Sequence, residues 1–323
     1  MKKYFFLLSF TSFQVFAHHG VASLGVAGLE GPGAPIESSS SATLNQGGTL
    51  AYLKLEQVRF KIYTPEIDDE MKSHSYWMYG TGYGFTPYFS GYLFAPYQSK
   101  TVENNSFNTS GFTDISLQGV LGFKHDKEFK LIPAKESLDD LEDWHFTIYG
   151  GFSLPTGNTN LRDSKGYIDG GMSLGFGKPH YSLGTTATKQ FGKFTLTLDS
   201  GVIYFNEYQY ADGNKGKFGT EWRFNSALNY RLLTNAETKL RLDSILELNY
   251  LKLGRDKTNG ETEQATGGNI LYVTPALRWY YDTFSLGLGL KMPIKANLNE
   301  EPLQQGSEGK EKYRFLLSFS ALF

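Results

Sequence analysis

YRFLLSFSALF, residues 313–323, puts Tyr313, Phe315, Leu317, Phe319, Ala321 and Phe323 on one face of an extended chain and Arg314, Ser318 and Ser320 on the other. A period of two over eleven residues is a strand with two different surroundings. Its position at the chain terminus sharpens the reading. An edge strand left there exposes a ladder of unmatched N–H and C=O groups, which lipid does not satisfy, so this strand is expected to close on the first strand of its sheet.

The N-terminus says which compartment that strand works in. Lys2 and Lys3 precede the apolar run YFFLLSFTSF, and Val15 and Ala17 stand where a signal peptidase reads small residues. Residues 1–17 therefore read as a secretory signal, with a mature chain from His18. Loss of the two lysines moves the formal charge from −2 to −4, too little imbalance to point to nucleic acid. The absence of cysteine excludes disulfides, thiolate metal sites and a lipoprotein anchor. No mature run of about 18 apolar residues offers a transmembrane helix. An exported chain with 25 Phe, 21 Tyr and 36 Gly is then either a soluble β protein or an outer-membrane barrel.

Connection lengths decide between them. From residue 49 onward twelve segments alternate. In TKLRLDSILELNYLKL, Leu240, Leu242, Leu246, Leu248 and Tyr250 oppose Lys239, Arg241, Asp243, Glu247 and Asn249. In FGTEWRFNSALNYRLL, Phe218, Trp222, Phe224, Leu228 and Tyr230 oppose Glu221, Arg223, Asn225, Asn229 and Arg231. Tight connections at 86–87, 192–193, 234–236 and 282–283 alternate with long polar ones such as RDKTNGETEQATGG. Short turns at one end and long loops at the other make an up-and-down membrane barrel. The expected fold is all-β: a transmembrane antiparallel up-and-down barrel of twelve strands over residues 49–323. Residues 126–143 break the pattern as a long periplasmic connection with room for a short helix. Residues 18–48, rich in Gly, Pro and Ser, form an extended segment that is either a disordered leader or a partial plug in the lumen.

The terminal strand ending in Phe, with Tyr313, Phe315, Phe319 and Phe323 outward, resembles the signal by which the bacterial barrel assembly machinery recognises its clients. A second likeness rests on the order of GPGAP, YGFTPYFSGYLFAPY, GFTDISLQG, FSLPTGN and KMPI along the chain. In that order the chain resembles the outer-membrane transporters named for the meta-cleavage pathway of phenol degradation, from about Gly28 to Phe323. The resemblance implies a small monomeric barrel for passage of small, often aromatic, molecules, and it favours the plug. Two departures stand out. APY replaces an expected Leu-Pro, and the first strand changes its apolar face between Leu55 and Val58, which predicts a bulge.

Residues opposite the lipid face line the interior: Asp199, Glu207, Glu221, Arg223, Arg231, Lys239, Arg241, Asp243, Glu247, Arg278, Lys291, Lys312 and Arg314. They act either as fixed charges that select solutes or as cross-strand pairs that stiffen the wall. A three-residue hairpin at Thr234–Ala236 sets Arg223 against Glu247 and Asn229 against Arg241. Arg278, Lys291, Lys312 and Arg314 lack acidic partners on neighbouring strands, which makes them the candidates for an anionic or polar solute. Inward Tyr149, Phe205, Tyr272 and Tyr280 suit aromatic solutes. Trp222, Trp279, Tyr230, Tyr281 and Phe194 read as girdle residues.

The rival classes leave fewer marks. His74, His125, His145 and His180 show no spacing of a lipase or deacylase, so the expectation is no enzyme and no cofactor. His18 and His19 beside a free amino group are a weak copper candidate. The function expected is passive passage of small, hydrophobic or aromatic compounds across the outer membrane of a Gram-negative bacterium. The alternatives are a porin for polar or anionic solutes, an outer-membrane enzyme, or an adhesin acting through the long loops. The partners expected are the lipid bilayer, the assembly machinery and a small-molecule solute.

Overall fold

A computed structural model describes residues 33–61, 71–133, 141–300 and 310–323. The signal segment, His18 and His19 lie outside the described residues. Twelve long strands form the wall: β1 (Thr49–Phe60), β2 (Met71–Thr86), β3 (Phe89–Val102), β4 (Ile115–His125), β5 (Trp144–Leu154), β6 (Tyr181–Phe191), β7 (Phe194–Tyr204), β8 (Glu221–Asn235), β9 (Leu240–Leu253), β10 (Gly268–Tyr281), β11 (Phe284–Leu298) and β12 (Glu311–Leu322). Each pairs antiparallel with its neighbours in sequence, and β12 returns to β1 with Leu53 opposite Phe319. Closure removes the edge, as the terminal strand requires.

Alternation persists through the wall. In β1, Leu50, Tyr52, Lys54, Glu56 and Val58 are buried inside, while the intervening residues face out. Outside, Phe315, Phe319, Phe224, Leu228, Leu246 and Tyr281 are exposed and make an apolar belt. Its tight turns use residues that reach positive φ: Gly192 at 61° and Asp282 at 52°. Beyond the wall, Tyr208–Gln209, Lys215–Lys217, Lys257–Thr258 and Glu261–Thr262 build a small sheet over the long-loop end.

Three local expectations fail. The turn after β8 occupies 236–239, with Lys239 at φ 51°, and a bulge separates Arg231 from Leu233. Arg223 therefore faces Leu251 and Glu247 faces Ala227, four residues away from the predicted register. The bulge expected between Leu55 and Val58 is absent: β1 alternates through Arg59, because Val58 belongs to the buried interior, and its irregularity comes between Arg59 and Phe60. Phe218 precedes β8 and packs with Phe176 and Phe205 instead of facing out.

The long connection between β4 and β5 folds back. Phe129–Leu131 pairs with Phe123–His125, and Ile132 and Leu141 are buried at this end of the barrel. Of residues 126–143, where a short helix has room, 134–140 lie outside the described residues.

Candidate solute pathway

The lumen has two unlike halves. From β1 to β5 its lining is aromatic and aliphatic: Tyr52, Tyr76, Met78, Tyr92, Phe94, Val120 and Tyr149 form one buried cluster with Leu44 and Leu50. Glycines on the adjoining strand give these rings room. A Cβ on Gly80 would stand 2.6 Å from the Phe94 ring, and one on Gly82 would stand 2.7 Å from Tyr92. Tyr149 lies over Gly184 and Gly201 in the same way and donates its hydroxyl to Asp199 at 2.9 Å. Tyr149 was legible as an inward ring, whereas Tyr92 and Phe94 escaped sequence reasoning because YGFTPYFSGYLFAPY carries rings on both faces. The readable signal was the glycine at every second position, with Gly80 opposite Phe94 and Gly82 opposite Tyr92.

From β8 to β12 and on into β1 the lining is charged. Arg241 grips Asp243 through Nε and Nη2, both at 2.7 Å, and lies over Tyr280. Arg314 meets Glu56 at 2.7 Å and also Glu311, and Arg223 meets Glu221 at 2.8 Å. Arg231 reaches Gln190 at 3.3 Å. Buried charges persist only when paired and hydrogen-bonded, and these are.

Residues 33–44 run inside the barrel between the two halves, and Asn45–Gly47 emerge exposed in a turn before β1. The side chain of Glu247 accepts the backbone N–H groups of Ile36 (2.6 Å), Glu37 (3.0 Å) and Ser38 (3.0 Å) and the Ser38 hydroxyl (2.6 Å). Asp243 accepts Gly33 N–H at 3.1 Å, and Asn229 donates to the Gly33 carbonyl. Glu37 bridges Lys54 at 2.5 Å and Lys291 at 2.7 Å, from strands on either side of β12. Arg278 donates to the Pro35 carbonyl at 2.7 Å. On the far wall Ser41 bonds Thr186 and Thr188, and Leu44 N–H reaches Ser90. An extended segment without a sheet partner leaves its backbone groups to be met by other means, and luminal side chains meet those named here.

The expectation of unpartnered cations is thereby corrected for Arg278, Lys291 and Arg314. Two of them meet the segment, and Lys291 also lies 4.6 Å over the Tyr272 ring. Lys312 is not beside them. It is the extra residue of a bulge in β12 and is exposed, while Glu311 is buried next to Arg314. Glu207 and Lys239 are likewise exposed, Lys239 in a turn where it pairs with Asp282 at 2.6 Å.

At the long-loop end the connection 155–180 enters the mouth. Its single turn of 3-10 helix, Gly170–Met172, is buried, and Lys100 donates to the carbonyls of Gly171 (2.8 Å) and Ser173 (2.7 Å). Asp114 clasps both arms of this connection, accepting Gly157 N–H at 2.9 Å and Phe176 N–H at 2.8 Å, while the Thr156 hydroxyl bonds Thr113 and Ile115. GFTDISLQG and FSLPTGN, distant in sequence, are thus one clasp. Burial pushes the Asp114 carboxyl up to about 6, against the pull of its N–H donors. His180 packs among Phe176 and Phe205, with Ser153 on its Nδ1, and burial lowers its imidazole to about 3. A cavity of about 30 Å³ remains between this loop and Tyr76, Gln98 and Asp114, room for water. His74 bonds Gln98 at 3.1 Å, and His145 faces the Asp143 carbonyl at 3.1 Å. No cluster of metal-ligating side chains occurs among the described residues.

A closed antiparallel barrel of twelve strands, apolar outside and charged within, with short turns at all but one connection of one end and long loops at the other, is an outer-membrane β-barrel protein. Over residues 70–307 the chain matches the family described as "Putative MetA-pathway of phenol degradation", and it belongs to that family. Among solved structures it is similar to the COG4313 outer membrane channel from Pseudomonas putida F1, at 13% identity and TM-score 0.68, over 90% of this chain and 100% of that one. Weaker likenesses are to the β domain of the Bordetella autotransporter BrkA (9% identity, TM-score 0.46, 86% of this chain and 100% of that one) and to the NanC porin (9%, 0.42, 83% and 98%). No curated protein matches the chain.

Proposed function

We propose that the protein is a passive outer-membrane channel for small aromatic or otherwise hydrophobic molecules, obstructed at mid-height by residues 33–44 and at the outer mouth by residues 155–180. The observation that carries this reading is the buried N-terminal segment, held by Glu247 and Glu37 on one side and leaving aromatic side chains on the other. A barrel of this strand number is wider than its own side chains fill, so a removable segment is what separates a closed lumen from an open one. The similar Pseudomonas putida protein is described as an outer membrane channel, which supports the same reading.

An aromatic solute fits better than an anionic one. Arg278, Lys291 and Arg314, the cations that an anion would need, are engaged by the chain's own Pro35, Glu37, Glu56 and Glu311. Arg223, Arg231, Arg241, Asp243, Tyr149, Tyr272 and Tyr280 line the path beside them. The outward face of Tyr313, Phe315, Phe319 and Phe323 serves as the assembly signal.

Planar-bilayer recordings of the mature protein, with and without residues 18–48, test the proposal. Larger conductance steps on deletion, blocked by phenolic solutes more strongly than by small anions, are expected. Silence in both forms would sink the channel and turn attention to entry through the wall or to an enzyme.

A further inference from the structure

Two bulges flank the outer end of β1, and both put a lysine on the outside. In β12, Arg59 faces Tyr313 and Phe60 faces Glu311, so Lys312 is the extra residue. In β2, Ser73 faces Thr101 and Met71 faces Val102, so Lys72 is the extra residue. Each lysine is exposed where strict alternation would send it into the lumen. Re-aiming a side chain is what a bulge does, and here two strands do it to the same end.

Between them stands β1, whose Arg59 is also exposed and lies opposite Ser73 on one side and Tyr313 on the other. Lys61 follows, exposed as well. Strands lie about 4.8 Å apart, so these four cations share one patch. None of them meets a carboxylate among the described residues: Glu56 and Glu311, the nearest acids on β1 and β12, are buried inside with Lys54 and Arg314.

The height of the patch identifies its partner. Tyr313, Phe315, Phe319 and Phe323 are exposed along the outside of β12. At about 3.3 Å per residue and a tilt near 40°, the run from Phe323 to Tyr313 rises about 25 Å, the height of the apolar band. Arg59 and Lys312 therefore sit just above the belt, at headgroup level on the long-loop side. A cluster of Lys and Arg that meets no carboxylate among the described residues, standing at that level, matches anionic lipid headgroups.

We propose that Arg59, Lys61, Lys72 and Lys312 form a binding surface for the phosphorylated headgroup of an outer-leaflet glycolipid. The surface is independent of the channel reading, since it lies on the outer face of the wall.

The test is native mass spectrometry of the full mature protein in detergent, titrated with diphosphoryl lipid A, with the same lipid stripped of its phosphates, and with inorganic phosphate. Lys72→Gln/Lys312→Gln is the variant, and Lys215→Gln/Lys257→Gln removes equal charge from the extracellular sheet as a control. Both pairs are exposed, and heat-modifiable gel mobility checks that each barrel is folded. Wild type and control should bind diphosphoryl lipid A alike, and Lys72→Gln/Lys312→Gln should bind it roughly tenfold or more weakly. Unchanged binding by that variant would overturn the proposal. So would equal binding of the dephosphorylated lipid, or inorganic phosphate binding as tightly as the lipid.

Discussion

The two halves of the lumen hold the same segment by different physics. On the side from β8 to β12 and into β1, Glu247 alone takes three backbone N–H groups and a hydroxyl, and Glu37 pairs with Lys54 and Lys291. On the β1–β5 side the grip is shape, with Phe94 and Tyr92 stacked against Gly80 and Gly82 and Leu44 packed into their cluster. Charge-assisted bonds are strong but depend on every partner being present, whereas a packed wall degrades by degrees. The charged half therefore acts as the latch and the aromatic half as the bearing surface.

The largest effect should come from breaking the latch. Glu247→Ala leaves the amides of Ile36, Glu37 and Ser38 without their acceptor in a buried place, a loss of about 3–5 kcal/mol in segment docking. Protease should then reach residues 33–44 in the folded barrel. Continued full protection would move the latch elsewhere.

Next in size is the outer clasp, which belongs to neither half. The Asp114 carboxyl is raised to about 6 when docked, above its ordinary value of 3.8, so the docked loop holds the proton more tightly than the free one. Docking is strongest below pH 4 and weakens as pH climbs to about 6, by on the order of a hundredfold in the docking equilibrium. Hydrogen exchange at Gly157 and Phe176, corrected for intrinsic rates, should show protection falling over that window. Asp114→Asn should abolish the dependence; a slope that survives in the variant assigns it to another group.

On the bearing surface the expected changes are smaller. Gly80→Ala drives a methyl into the Phe94 ring and should cost about 1–3 kcal/mol of barrel stability without releasing the segment, read as a lower urea midpoint with protease protection intact. Tyr149→Phe removes one hydroxyl from Asp199, which keeps Asn225 at 2.7 Å, and should cost about 1 kcal/mol. If Gly80→Ala released the segment as readily as Glu247→Ala, the division into latch and bearing would fail.

Alternation is a local property, set by the pleat of the backbone and by lipid on one side, so it can be read without knowing any partner. On that basis the sequence by itself determined the strand number, the closure of the last strand on the first, the turns at 192–193 and 282–283, and the lipid face that includes Phe315, Phe319, Trp222 and Phe194. It did not determine the β8–β9 register, because a bulge at Arg231 and a turn at 236–239 move pairs that a symmetric hairpin would join. Nor did it determine the direction of Lys312, which one extra residue reversed.

The partners of the luminal charges were decided only by the tertiary structure. Ile36 and Glu247 are 211 positions apart in sequence, as are Asn249 and Ser38, and no periodicity within a strand encodes a contact with a segment threaded between walls. Asp114 and Gly157 meet for the same reason, 43 positions apart across a loop. Such contacts are fixed by the closure of the barrel, which brings opposite walls within hydrogen-bonding reach of the same few residues and leaves buried polar groups no other partner.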